Sequence, residues 1–256
     1  MLGAIAGDII GSPYEFSPIK NTQFPLFSDQ STFTDDTVLT IAVADAAMHG
    51  LDPVDTLRTY FRRYPGRGYG GSFERWAQSE TRAPYNSWGN GSAMRTNSIG
   101  WLFNSKTDVL HHARTFAEVT HNHAEGIRGA QATALAIFLA RNGESKAHIR
   151  REIAHWFRYN LSETIDDIRG EYIFDVSCQG SVPQSILCFL ESDSYEQAIR
   201  LAVSLGGDAD TMACIAGGIA EAFYGFVPEY IAQETRARLP EEFLSVMSDF
   251  YNQIQK

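Results

Sequence analysis

The stretch SLGGDADTMACIAGGIAEAFYG at residues 204–225 limits the possible folds of this chain more than any other. Gly206 and Gly207 allow a sharp turn, and a helix pattern begins at Asp208-Ala209-Asp210-Thr211. Past that first turn the helix is almost wholly apolar or small, its sides filled by Ala213, Ile215, Ala216, Gly217, Gly218, Ile219, Ala220 and Ala222. A helix that is apolar all round is buried all round, and residues this small let neighbouring helices approach closely. Two carboxylates and a hydroxyl at the start of such a helix repel one another and lose their water, which calls for a cation between them. Helix capping accounts for one Asp and leaves the second in surplus. A calcium loop does not fit, because Met212 stands where the third ligand belongs; a phosphate-cradling loop does not fit, because no Lys follows the glycines.

The pattern has a precedent earlier in the chain. Phe33-Thr34-Asp35-Asp36-Thr37 precedes VLTIAVADAAM, a second helix of small apolar residues. Brought together, the two starts supply four carboxylates and several hydroxyls. Such an all-oxygen donor set selects a hard cation such as Mg²⁺ or Mn²⁺, and four negative charges can hold two of them. At the amino terminus, Gly3, Gly7 and Gly11 recur every four residues and leave one face of a first helix bare, so that another helix can press against it. Asp8 lies beside that face as a buried acid in need of a partner. Glu15 follows in SPYEFSPIK, where Pro13 and Pro18 argue for an irregular flap running to about residue 29; read blandly, Glu15 is a solvated loop acid.

The remaining segments frame these features. Asp52-Pro53 opens a helix that runs to about residue 64, and the glycine-rich GRGYGGSFERW reads as a loop without the spacing of a dinucleotide fingerprint. Residues 87–92 form a small-residue turn leading into a helix through Met94, Ile99 and Leu102; it reads either as a capped turn or as an anion site of exposed amides. Thr120-His121-Asn122-His123 precedes a long helix over 124–142. The two His lack a third ligand at zinc spacing, so His121 reads as a hydrogen-bonding residue. Helices are expected over 149–159, 163–169, 179–191 and 195–205, with amphipathic closing helices from residue 228; hairpin signals, fixed-period repeats and low-complexity tracts are missing.

Composition narrows the class. A chain of 256 residues with 44% hydrophobic content suits one folded domain, 1–256. A net charge of -10 disfavours bare nucleic acid and anionic lipid. Cys178, Cys188 and Cys214 lie in apolar stretches without a paired motif and read as reduced core residues, and the amino terminus has neither a basic leader nor a membrane-length run. The reading is a cytoplasmic monomer.

Five blocks occur in order across nearly the whole chain: GAIAGDIIGSPYE, FTDDT, SWGNGSAMR, the dipeptide TH before a helix that opens into GAQA, and LGGDADT running into AGGIAEAFYG. Together they resemble the ADP-ribosylglycohydrolase family, which includes the glycohydrolase that reactivates dinitrogenase reductase and the eukaryotic ADP-ribosylhydrolases. The resemblance implies an all-α fold, a compact orthogonal multi-helix bundle with a dinuclear site for two Mg²⁺ or Mn²⁺ at helix N-termini. It implies hydrolysis of ADP-ribose from a modified protein side chain, with the arginine-type N-glycosidic linkage favoured, or from a small ADP-ribosyl adduct. Carried onto this chain, it makes Thr34, Asp35, Asp36, Asp208, Asp210 and Thr211 metal ligands. Glu15, Asp36 and Asp208 become catalytic residues, Asp8 a buried supporting acid, and Ser87, Trp88, Gly89, Asn90 and His121 the substrate-binding set. Residues 146–175 match no part of the family pattern. Three alternatives stay open: a non-catalytic ADP-ribose-binding or structural protein on the same fold, a hydrolase of serine- or O-acetyl-linked ADP-ribose, and a phosphohydrolase that would release AMP.

Overall fold

The computed structural model describes residues 1–255, whose regular structure is entirely helical. The chain opens with α1 (Leu2–Gly11), continues through a 3-10 turn (Ser12–Tyr14), and after an irregular segment forms α2 (Asp35–His49), α3 (Pro53–Arg63) and α4 (Gly71–Gln78). Two single-turn helices follow, α5 (Gly91–Met94) and α6 (Ile99–Leu102), then α7 (Lys106–Glu118), α8 (Ala124–Arg141), α9 (Lys146–Phe157) and α10 (Ile165–Arg169). The last third holds α11 (Cys178–Glu191), α12 (Tyr195–Ser204), α13 (Ala209–Tyr224), α14 (Glu229–Arg236) and α15 (Glu241–Ile254). No helix among the described residues is long and apolar enough to cross a membrane.

The centre of the molecule is α13, buried from Ala209 through Ala222, and α1 lies along it with all ten residues buried. Their contact is backbone against backbone. A Cβ on Gly7 would stand 2.1 Å from the Ala213 carbonyl oxygen, one on Gly11 would stand 2.5 Å from that of Ala209, and one on Gly3 would stand 2.6 Å from that of Gly217. At these three positions only glycine fits, as the four-residue spacing predicts. Helices α8, α11 and α12 close around the other sides of α13, and α2 meets its first turn.

Helix ends follow local rules. Asp52 accepts from the Asp55 amide at 3.0 Å to cap α3, whose first residue is Pro53. Thr164 and Asp167 form a capping box on α10. Gly206, with φ +63, makes the turn before α13 while the Lys20 side chain and the Ile19 carbonyl press against its Cα.

Three expectations need correction. Residues 66–76 are not all loop: α4 starts at Gly71, because Phe73, Trp76 and Ala77 bury one amphipathic face against α3, which outweighs the glycines in front of them. The helix expected through Met94, Ile99 and Leu102 is split into α5 and α6 by turns at residues 95–98, where the side chain of Arg95 is fully buried. Helix α7, which starts at the Ser105 cap, falls in a stretch for which no helix is expected above.

Candidate metal centre and ligand cavity

The two acidic helix starts meet at the α1–α13 contact. Thr34 caps α2, its Oγ1 accepting from the Asp36 amide at 3.3 Å, so neither Asp35 nor Asp36 is used as the cap. Asp208 precedes α13 without a capping bond. Capping therefore leaves most of these carboxylates unexplained. The Thr211 hydroxyl donates to Asp36 Oδ2 at 3.2 Å and ties the two starts together.

Carboxylate oxygens of Asp8, Asp36 and Asp210 lie within 4.8 Å of one another, as do those of Glu15, Asp208 and Asp210. Asp210 belongs to both groups. Asp8 is saturated: it accepts from the Thr34 amide at 3.0 Å, the Thr34 hydroxyl at 2.7 Å, the Thr37 amide at 3.1 Å and the Thr37 hydroxyl. It thus caps α2 from α1 and holds that helix start over α13, as a supporting acid should. Asp36 Oδ1, by contrast, is buried with no hydrogen-bond partner, an acceptor left free in the middle of the acids. Asp35, partly exposed, lines the same cavity next to Gly68 and stands outside both three-acid groups.

No Lys or Arg among the described residues forms an ion pair with any of these six carboxylates. Their protonation reflects this. Burial and then the neighbouring Asp210 and Asp8 charges push Asp35 and Asp36 well above the ordinary carboxylate range, and burial with Asp208 and Asp8 does the same to Asp210. Burial raises Asp208 to about 6, against a hydrogen bond from Asn90; it raises Asp8 to about 6 and, with Asp210 adding to it, Glu15 to about 8. A free buried oxygen and a crowd of unpaired carboxyls that shed their protons reluctantly are what a divalent, oxygen-seeking cation would neutralise, so the donor set fits Mg²⁺ or Mn²⁺.

Glu15 does not sit in a loose flap outside the acidic clusters. Pro13 falls in the first positions of the 3-10 turn, where proline is tolerated, so the chain stays helical from α1 up to Glu15 (φ -54, ψ -52) and carries its carboxyl to Asp208 and Asp210. The segment beyond is anchored. Lys20 donates to the Leu205 carbonyl at 2.5 Å, and Arg200 donates to those of Thr22 and Phe24 at 2.9 and 2.8 Å.

A cavity of about 310 Å³ opens over the acids and runs to residues 87–91 and His121. Gly89 pairs with Ser177 in an isolated antiparallel bridge, which pins this loop to the chain entering α11. Ser87 Oγ accepts from the Gly89 amide at 3.2 Å, and both residues line the cavity. Asn90 lines the cavity too, and its Nδ2 donates to Asp208 Oδ2 at 2.7 Å and to Ser181 at 3.2 Å, so its side chain also orients an acid. Trp88 projects to solvent, 48% exposed, and is not part of the lining. His121 is buried, with Nδ1 2.7 Å from Thr120 Oγ1; burial and then Arg95 hold its protonation well below the ordinary histidine range. Among the lining residues to which the sequence assigns no role are Tyr85 and the fully buried Arg95. Arg95 stands inside the SWGNGSAMR block, and a charged residue in an otherwise small-residue turn was the available signal.

Comparison with known proteins agrees with this architecture. Human ADP-ribosylhydrolase ARH3 is 28% identical over 90% of this chain and 86% of its own length. ADP-ribosylarginine hydrolase Tri1 of Pseudomonas putida (strain GB-1) is 24% identical over 90% of this chain and 72% of its own. A solved structure described as an ADP-ribosylglycohydrolase-related protein complex superposes with a TM-score of 0.76 at 24% identity, covering 99% of this chain and 97% of that one. The family model described as ADP-ribosylglycohydrolase matches residues 1–256, and the chain therefore belongs to that family.

Proposed function

We propose that this protein is a metal-dependent hydrolase that cleaves ADP-ribose from a modified side chain or small adduct at the anomeric carbon of the distal ribose, with the arginine-type linkage favoured. The observation that carries this reading is the acidic centre itself: five carboxylates without a cationic partner, Glu15, Asp35, Asp36, Asp208 and Asp210, line a cavity that suits a small ligand, with Asp8 buried beside them. A descendant that only bound ADP-ribose, or only served as a scaffold, would have little use for so costly a cluster. The arginine preference is supported by the name of the Tri1 relative and by the chemistry of the leaving group, since a guanidine departs as a strong base and can carry its own proton.

Asp36, Asp208, Asp210 and Glu15, with Thr34, Asp35 and Thr211, would hold two Mg²⁺ or Mn²⁺, which when bound would supply Lewis-acid charge for ribose hydroxyls and for a water. The protein's own groups do the rest. Asp36 and Asp208 place negative charge beneath the sugar, where positive charge develops as the glycosidic bond breaks. Asn90 keeps Asp208 oriented. Glu15, half-buried at the edge of the acids, moves a proton between its carboxyl and the reacting water or the leaving group. Ser87, Gly89 and His121 line the cavity and would receive the diphosphate, with Trp88 exposed outside the lining.

The test is incubation with arginine-, serine- and O-acetyl-linked ADP-ribose in Mg²⁺ or Mn²⁺, with products identified by mass. Intact ADP-ribose released fastest from the arginine adduct is the expected result. AMP would move the reaction to the diphosphate, and absence of any product would leave a binding protein.

A further inference from the structure

Resting on the reading above of His121 as a ligand-facing residue, we propose that Arg95 and Thr120 are positioning residues. They fix the His121 ring in its Nε2–H form, so that it presents a hydrogen-bond donor to the cavity.

The argument begins with Arg95, which is fully buried and forms no ion pair. Its Nη2 donates to the carbonyls of Phe116 and Ala117, at 2.9 and 3.4 Å, and to Thr120 Oγ1 at 2.8 Å. The carbonyls belong to the last turn of α7, where the helix leaves acceptors free and its dipole is negative, so the helix end serves as the counter-charge. A guanidinium can only donate. Thr120 Oγ1 therefore accepts from Arg95, and its own hydrogen needs an acceptor. Two acceptors stand near it among the described residues, the phenolic oxygen of Tyr85 and, at 2.7 Å, His121 Nδ1; the imidazole nitrogen is the stronger base and takes the hydrogen. Nδ1 must then offer its lone pair, and in a neutral imidazole the proton is left on Nε2.

Nε2 is the atom that faces the bare glycines of the cavity wall. A Cβ on Gly91 would come within 3.5 Å of it, and one on Gly89 within 3.7 Å. With burial and Arg95 both opposing a second proton, the ring stays neutral and its single N–H points where an acceptor oxygen of the ligand, a phosphate oxygen or a ribose hydroxyl, can take it. Arg95 thus acts at a distance, through the Thr120 hydroxyl.

The experiment uses the whole protein with ¹⁵N-labelled histidine. Two-bond ¹H–¹⁵N correlation spectra identify the tautomer of each of the seven His residues, with His121 assigned by its loss in His121→Gln. The expected result is Nε2–H for His121 in the wild type, a mixed or reversed pattern in Thr120→Val, and recovery in Thr120→Ser. Calorimetry with ADP-ribose and Mg²⁺ should follow in parallel, with about tenfold weaker binding in Thr120→Val and recovery in Thr120→Ser. An Nδ1–H wild type, or an unchanged His121 pattern in Thr120→Val, overturns the proposal. The Nε2–H pattern with the expected Thr120 series, but without ADP-ribose binding in any variant, supports the relay and overturns the ligand assignment instead.

Discussion

Removing divalent metal should make this protein lose stability as pH rises from 7 to 8.5, the reverse of what paired carboxylates do. The sign follows from the acids. Asp35, Asp36 and Asp210 are held well above the ordinary carboxylate range by burial and by one another, and Glu15 is raised to about 8. A group whose folded pKa exceeds its unfolded one contributes stability that is complete below the unfolded value and is lost as pH climbs through the folded value. At pH 7 an unfolded chain has already released these protons, while the folded, metal-free chain still keeps some. Each proton kept costs about 1.4 kcal/mol per pH unit. Taking a single proton shared between Asp36 and Asp210, both 3% exposed, the drop over 1.5 pH units is about 2 kcal/mol, or roughly 4–8 °C in Tm for a chain of this size. The window avoids two opposing sets: His112 and His121, whose lowered values act only on the acid side, and Asp52, Glu152, Asp167 and Glu196, whose lowered values matter only in stronger acid. The Met1 ammonium, held below its ordinary value by burial, does titrate within it and opposes the slope, equally with and without metal, so the difference between the two conditions carries the test. The assay is thermal unfolding in a chelator and again in excess Mg²⁺. With metal bound the slope should vanish or reverse, because the cation binds the deprotonated acids. A metal-free protein whose Tm falls no more steeply than that of the metal-bound protein between pH 7 and 8.5 would refute the reasoning.

Four substitutions extend the test. Asp208→Asn and Asp35→Asn should each abolish turnover while circular dichroism stays helical, and calorimetric titration of Mg²⁺ or Mn²⁺ should show binding lost in the first; full activity in either would remove that acid from the centre. Glu15→Gln should lower turnover by about 10²- to 10⁴-fold. Because Glu15 stands with Asp208 and Asp210, divalent-metal affinity should fall as well, and unchanged rate and affinity would return it to the surface. Gly7→Ala forces a methyl to 2.1 Å from a backbone oxygen, so at least the ~3 kcal/mol at the upper end of overpacking costs is expected, read as the change in the denaturant midpoint.

Much of the centre was legible because its chemistry is local in sequence. Thr34-Asp35-Asp36 and Asp208-Ala209-Asp210-Thr211 each announce a helix start with more acid than a cap uses, and Gly3, Gly7 and Gly11 announce a close helix neighbour. What stayed hidden depends on contacts between distant segments. Glu15 was read as a flap acid because two prolines suggest irregular chain, whereas the direction of α1 carries it to the acids. Asn90 was read as a substrate residue, and only the folded chain puts Asp208 within 2.7 Å of its amide. Helix α4 was concealed by the glycines ahead of it, because its face is recognisable only against the partner it packs on. Arg95 and Thr120 are 25 residues apart, and no spacing rule joins them.

The glycine contact between α1 and α13 also bears on which ion the protein accepts. Glu15 is carried on the helical continuation of one and Asp210 on the other, and the separation of those helices is set where Cα meets carbonyl, with no side chain between them to change rotamer. A gap defined by backbone has little give. Ca²⁺ needs metal–oxygen bonds roughly 0.3–0.5 Å longer than Mg²⁺ and usually more of them. To make room, the two innermost helices would have to move apart, and α8, α11 and α12 packed around α13 resist that. In the metal centre proposed above, selection between two ions of equal charge would thereby be delegated to three residues that touch neither.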